Sequence, residues 1–307
     1  MVLQYGSGTQ GFGPVSIGAL VSLVLLVASA VWVARHPHLV PRLWARVHDS
    51  VLVGRVKFWA RKQIQARGWP LLRRLPASEV ASVALLVGLA LVLALAVGFT
   101  EVLGDVLEGD GIAGIDQPAA RWLANHRDLW LTTTLRVITG AGGVAVLAAV
   151  AVVACAAAVW RSRSWPPVVF ALAGAGGITL VIFTAKALVV RNRPPLPFAL
   201  IAADGFSFPS GHATGVAVGA CLTAWLLTRW LITWWTGRVV VWTAAIGVAA
   251  VVGFSRVYLG VHYISDVLAG WLLGAAWVGA VMVVGSWWDN TRRGRAHQTV
   301  CRNEMAR

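Results

Sequence analysis

The sequence predicts an all-α, polytopic membrane protein, and three observations carry that prediction. Of its 307 residues 58% are hydrophobic and only 12% charged, about half the charged share of a water-soluble domain. Apolar runs long enough to cross a bilayer, about 20 residues each, recur along the whole chain. The segments joining them alternate between basic and acidic, as loops on alternate sides of a membrane do. A run of this length is a helix, because a barrel strand crosses in about half as many residues.

Taken in order, the first span is Ser16–Ala34. Met1 to Val15 contains no Lys or Arg, so the run lacks the basic leader of a signal peptide. Residues 1–34 are expected to stay as an anchor whose short tail is translocated. Residues 35–78 form a basic segment, with Arg35, Arg42, Arg46, Arg55, Lys57, Arg61, Lys62, Arg67, Arg73 and Arg74 interrupted by Leu43, Trp44, Val47, Val51, Val56 and Trp59. Two readings of it stand: an amphipathic helix on the anionic cytoplasmic leaflet, or a solvated loop that only sets orientation.

The second span is Val80–Phe99. Glu101, Asp105, Glu108, Asp110, Asp116 and Asp128 all follow before the third, Ile138–Trp160. Arg161 and Arg163 precede the fourth, Pro167–Val190; the fifth is Ala213–Trp235, and Arg238 leads into the sixth, Val239–Phe254. The seventh, Val267–Trp287, ends at Arg292, Arg293 and Arg295 in a basic tail, residues 289–307. The positive-inside rule then puts the N-terminus outside and the C-terminus in the cytoplasm of a plasma (inner) membrane protein. Trp160, Trp165, Trp234, Trp235, Trp287 and Trp288 fall at inner span ends, where an aromatic belt belongs. Tyr258 and Tyr263 read as belt residues too. Gly140-Ala141-Gly142-Gly143 and Gly174-Ala175-Gly176-Gly177 follow no strand, so they read as close helix packing rather than nucleotide loops.

Net charge of +14 would suggest nucleic acid in a soluble protein, but no soluble basic domain exists here to bind it. Cys155 and Cys221 lie inside spans and Cys301 in the tail, which implies no disulfide framework.

Ionisable residues at spans are costly and mark function, and three clusters stand out. The fourth span ends with Lys186, Arg191, Arg193, Pro194 and Pro195, the prolines stopping the helix. Pro209-Ser210-Gly211-His212 leads into the fifth span, and Ser255, Arg256, His262 and Asp266 join the sixth to the seventh. The topology brings all three to the extracytoplasmic face.

Lys186, Arg193 and Arg256 supply positive charge, and the arginine fork matches phosphate oxygens. Ser210 and Gly211 stand at a helix start, where free amides and the dipole favour an anion, and Gly211 lets the backbone approach closely. His262 and Asp266, four apart, stack if they share the first turn of the seventh span. The carboxylate then orients the imidazole and leaves its other nitrogen free to attack, while His212 protonates the leaving oxygen. The set suits phosphoryl transfer with no metal or other cofactor. Arg191 is expected only to touch lipid head groups, and Ser255 is an open candidate for a hydrogen bond within the site.

Lys186-x6-Arg193-Pro194, Pro209-Ser210-Gly211-His212 and Ser255-Arg256-x5-His262-x3-Asp266 resemble the three-part signature of the type 2 phosphatidic acid phosphatase and vanadium haloperoxidase superfamily, in its membrane lipid phosphatase branch. The resemblance implies a six-helix phosphatase core, residues 79–288, with the first span extra to it. It implies His262 as a nucleophile forming a phosphohistidine, Asp266 as its partner and His212 as the acid. Lys186, Arg193, Ser210, Gly211 and Arg256 would hold the phosphate. The expected substrate is a polyprenyl diphosphate, phosphatidylglycerol phosphate or phosphatidic acid.

Other readings compete. A phosphotransferase would use the same residues. A transporter would place ionisable groups near the bilayer midplane, where this sequence has Ala, Val, Leu and Gly. A dead scaffold has no need of two histidines. His212, His262 and Asp266 could form a metal-binding triad, against which three nearby cations would repel a divalent ion. Oligomeric state is not legible.

Overall fold

The computed structural model describes residues 12–50, positions 54, 55, 58 and 62, and residues 79–305 apart from 142–143, 196–197 and 201–202. All regular elements among them are helices. Six are long and apolar enough to span a bilayer: Pro14–Arg35, Val83–Glu108, Pro166–Val189, Gly211–Trp230, Trp235–Tyr258 and Ile264–Asp289. The all-α polytopic architecture read from composition is the one observed.

Local chemistry sets the ends of these helices. Helix α1 (Pro14–Arg35) starts on a proline, whose missing N–H costs nothing there, and ends on a cation that suits the helix dipole. Helix α2 (Leu39–His48) puts Val40, Leu43 and Val47 on one stripe and Arg42 and Arg46 elsewhere. This much of the predicted amphipathic segment is helical; Val51, Val56, Trp59 and the rest of it to residue 78 lie largely outside the described residues. Helix α3 (Glu79–Glu108) leads through a 3₁₀ turn, Gly111–Ile115, into short α4 (Asp116–Asn125) and α5 (Leu129–Ala141).

Helix α6 (Val144–Ser162) follows. One span is expected over Ile138–Trp160; helix is observed on both sides of 142–143, which lie outside the described residues. Helix α7 (Pro166–Val189) is closed by Val190 in the left-handed conformation, φ 51°. Pro194 and Pro195 come after the helix has already ended, so they do not stop it. Helix α8 (Gly211–Trp230) begins two residues before the predicted fifth span, capped by the Ser210 side chain, which accepts from Ala213 N–H at 3.4 Å. Helix α9 (Trp235–Tyr258) is longer at both ends than the predicted sixth span. Helix α10 (Ile264–Met305) is the last described element.

Two compact units are distinguished, each described by itself: residues up to Arg35 with Ala94–Val278, and His36–Leu93 with Gly279–Arg307. In the second, Val283 lies over Gly88 and Val92 over Gly279. The first is built around α8. Its membrane-length window is 67% buried, against 33% or less in the other five spans. Small residues make this centre possible. Ala220 and Ala224 pack on Ala245 of α9, Leu222 and Trp277 press onto Gly174 and Gly177 of α7, and Gly270 of α10 meets Thr214 and the Ser210 carbonyl. The glycine run in α7 is thus packing, as read.

Helix α1 lies along α9. Trp235 Nε1 donates to the Val33 carbonyl at 3.2 Å at one end. At the other, Gly13 N–H and Ser16 Oγ–H donate to Asp128. Tyr258 ends α9 beside that carboxylate. It is fully buried, and its hydroxyl accepts from Asp128 N–H at 2.8 Å. The belt reading of Tyr258 therefore fails: the ring is an anchor inside the bundle, not an interfacial residue.

Candidate active site

Every predicted site residue lies at one end of the first unit, brought there by three helix-to-helix joints. At the α7 joint, Lys186 Nζ donates to the Phe206 carbonyl. Arg193 donates to three carbonyls, Gly205 at 2.9 Å, Asp204 at 3.0 Å and Val261 at 2.8 Å. Both cations therefore close onto the strand of chain 204–206.

At the α8 joint, Phe208 is completely buried against Val102 and Ala269, an anchor worth about 2 kcal/mol. It fixes the turn in which Ser210 N–H donates to the Asp266 carbonyl at 3.0 Å. The first amides of α8 are held beside the start of α10 by that bond. A Cβ at Gly211 would meet only Ile182 and Lys186, at 3.8 Å. Packing against the described residues therefore does not require glycine there. His212 is half-buried, has no hydrogen-bond partner among the described residues, and feels the charges of Arg256, Arg193 and Lys186.

The third joint holds the tightest geometry. Arg256, in the last turn of α9, is buried, and its Nε has no hydrogen-bond partner among the described residues. A buried guanidinium N–H left unpaired is costly, and an anion would satisfy it. His262 is 3% exposed, with Nδ1 3.4 Å from Asp266 Oδ2 and Nε2 3.1 Å from Arg193 Nη1. Arginine can only donate, so Nε2 carries the lone pair and the proton sits on Nδ1, facing the carboxylate. Burial pushes the imidazole down to about 4, with the Asp266 hydrogen bond and charge opposing and Arg193 and Arg256 assisting. At neutral pH it is uncharged.

His262 precedes α10, which starts at Ile264. The pairing with Asp266 is made across a turn rather than along a helix turn, yet the four-residue spacing still brings the groups together. Tyr263 N–H also donates to Asp266 Oδ2, at 2.9 Å.

Two expectations do not hold. Arg191 does not face lipid head groups. Its Nη1 donates to Asp266 Oδ1 at 2.6 Å and to Ser265 Oγ at 2.7 Å, and its Nη2 to Asp116 Oδ2 at 2.7 Å. Burial works against the guanidinium charge, but Asp266 and Asp116 outweigh it and raise its affinity for the proton. Tyr263 lies under this guanidinium, 4.5 Å from its ring centroid, and so is no belt residue. Ser255 turns from the site to the Val252 carbonyl at 2.6 Å and to Thr139. Among the described residues no group of three or more His, Cys, Asp or Glu is arranged as a metal-binding cluster.

This constellation has relatives. Residues 165–289 match the PAP2 superfamily. The chain is 29% identical over 176 residues to phosphatidylglycerophosphatase B of Bacillus subtilis, covering 57% of this chain and 86% of that one. It is 42% identical over 78 residues to an undecaprenyl-diphosphatase of Sulfolobus acidocaldarius, covering 25% of this chain and 32% of that relative. The crystal structure of a transmembrane PAP2 type phosphatidylglycerolphosphate phosphatase from Bacillus subtilis superposes with a TM-score of 0.56 and 27% identity, covering 62% of this chain and 94% of that one. The matched segment includes helices long and apolar enough to cross a membrane, and the relatives it aligns with are named as phosphatases.

Proposed function

We propose that this protein is a lipid phosphatase that hydrolyses a phosphomonoester or diphosphate at the extracytoplasmic face, without a metal, through a phosphohistidine at His262. The observation that carries the reading is the neutral, buried imidazole of His262, its Nε2 lone pair turned to Arg193 and its Nδ1–H to Asp266.

In the first step Arg193 releases Nε2 and takes a phosphate oxygen. The nitrogen lone pair forms a bond to phosphorus as the phosphorus–oxygen bond to the lipid breaks. His212 gives its proton to the departing oxygen. The imidazolium formed at His262 keeps its Nδ1–H on Asp266, which stabilises the new charge. In the second step His212 takes a proton from water, the hydroxide oxygen attacks phosphorus, and inorganic phosphate leaves with Nε2 restored. Lys186, Arg193, Arg256 and the first amides of α8, exposed by Ser210 and Gly211, neutralise the equatorial oxygens.

The side assignment is supported by charge alternation, and by the acidic segment lying at the same end as the site. Residues 79–288 are assigned as the core, 1–34 as an additional span, and 35–78 and 289–307 as cytoplasmic basic segments. Phosphatidylglycerol phosphate is the favoured substrate, because the relative named for that activity aligns over most of its own length. Polyprenyl diphosphate and phosphatidic acid come next.

The test is phosphate release from these three lipids by purified protein, with and without EDTA and with vanadate as a five-coordinate phosphorus mimic. His262→Asn lowers kcat by at least about 10³-fold. Near-normal release by that variant, or turnover that EDTA abolishes and metal restores, overturns the mechanism. Label appearing on an acceptor lipid instead of free phosphate would convert the assignment to a phosphotransferase.

A further inference from the structure

Asp116 lies outside the PAP2 segment, in the acidic stretch between α3 and α5, and is far from the motifs in sequence. It is nonetheless 2% exposed. It is the first residue of α4, yet its carboxylate is spent elsewhere. Oδ1 accepts Ser265 N–H at 3.1 Å, and Oδ2 accepts Arg191 Nη2 and the Ser265 hydroxyl. Ser265 is the residue immediately before Asp266.

Arg191 is the other half of the joint. Its two terminal nitrogens fork between Asp116 and Asp266, with the guanidinium lying on the Tyr263 ring. Val190, the β-branched residue just before Arg191, is in the left-handed conformation at φ 51°, which is rare for such a side chain. The Arg191 carbonyl is also fixed, accepting Ser207 N–H at 2.8 Å.

The fork determines how the Asp266 carboxylate is turned. Arg191 takes Oδ1, so Oδ2 is the oxygen presented to Tyr263 N–H and His262 Nδ1–H. A buried carboxylate without that partner would rotate toward the nearest donor and release the imidazole. We propose that Asp116 and Arg191 are positioning residues for the His262–Asp266 pair. Arg191 sets the plane of Asp266, and Asp116 with Ser265 sets the plane of Arg191. Neither touches substrate; both act through the orientation of His262. The inference rests on His262 being the nucleophile.

The experiment uses the full chain purified in detergent, with Arg191→Lys, Asp116→Asn, the double variant and His262→Asn assayed for kcat and KM in phosphate release. Rapid quenching follows formation of labelled phosphoenzyme. Lysine keeps the charge but loses the two-pronged geometry, and asparagine is nearly isosteric with aspartate. Arg191→Lys is expected to lower kcat about 30-fold and slow phosphoenzyme formation equally, with KM changed by less than about 3-fold. Asp116→Asn lowers kcat about 10-fold, and the double variant is no worse than Arg191→Lys alone, as a shared pathway requires.

A rise in KM with kcat unchanged makes Arg191 a phosphate ligand and overturns the proposal. So do multiplicative losses in the double variant, or losses that only follow the fraction of folded protein. If Arg191→Lys fails to fold, Asp116→Asn decides alone. Retained turnover in His262→Asn sinks the nucleophile assignment instead, whatever the other variants do.

Discussion

Asp116 and Asp128 come from the same acidic segment and are buried almost equally, at 2% and 3% exposure. Asp116 is tied to a cation and to the residue before Asp266. Asp128 is tied to neutral donors, the first-turn groups of α1, while its own backbone N–H reaches the Tyr258 hydroxyl. One acid serves the orientation of a reacting group, and the other fastens the additional span to α9. Residue type, charge and burial do not separate the two roles. What separates them is whether the partner lies on the path to His262.

The largest expected effect falls where the two networks come closest, at Gly260. It sits between Tyr258 and His262 with φ +74°, and a Cβ there would run into the Phe198 carbonyl oxygen. That carbonyl is held by Arg127 Nη2 at 2.5 Å, and Arg127 Nε donates to the Tyr258 carbonyl at 3.1 Å. Gly260→Ala combines a left-handed penalty with overpacking, together about 3 kcal/mol. Thermal unfolding should drop sharply and phosphate release with it. If the variant melts like the parent, the turn is not the shared joint described here.

Next comes Asp128→Ala. It leaves Gly13 N–H and the Ser16 hydroxyl without their acceptor, which costs about 1–3 kcal/mol. The comparison sharpens at this point, since kcat per folded molecule is expected to stay within about 2-fold of the parent. Asp116→Asn should do the reverse, with a modest change in melting and a clear loss of kcat. Should Asp128→Ala slow the chemistry as much as Asp116→Asn, the division between fastening and positioning is gone.

The same pair marks the limit of what could be read from sequence. The gathering of Lys186, Arg193, Ser210, Gly211, His212, Arg256, His262 and Asp266 at one end was legible because each lies at a span end, and parity of crossings places those ends together. The His262–Asp266 contact was legible because four residues can bring two groups together in a turn as well as in a helix. Arg191 was not, because one of its two carboxylate partners, Asp116, lies 75 residues away in the acidic segment. Asp116 was hidden among acids that the topology rule already explained. Tyr258 was hidden because its hydroxyl partner comes from a segment more than a hundred residues away.

The smallest effect expected is one confined to low pH. Burial, opposed by Asp266 and helped by Arg193 and Arg256, holds the His262 imidazole at about 4, below the roughly 6.5 of an unfolded histidine. As pH falls through 6.5 the unfolded chain takes this proton first, so the stability linked to His262 is present above 6.5 and is lost progressively toward 4. The folded imidazole itself stays neutral from pH 8 to 5, with its proton on Nδ1. Nitrogen-15 NMR of histidine-labelled, substrate-free protein, assigned with His262→Asn, reads both facts. A His262 signal titrating near 6.5 would contradict the buried, Arg193-capped imidazole. Asp128→Ala should leave that signal where it is, because its partners end at Tyr258 and do not reach the Nδ1–Asp266 contact.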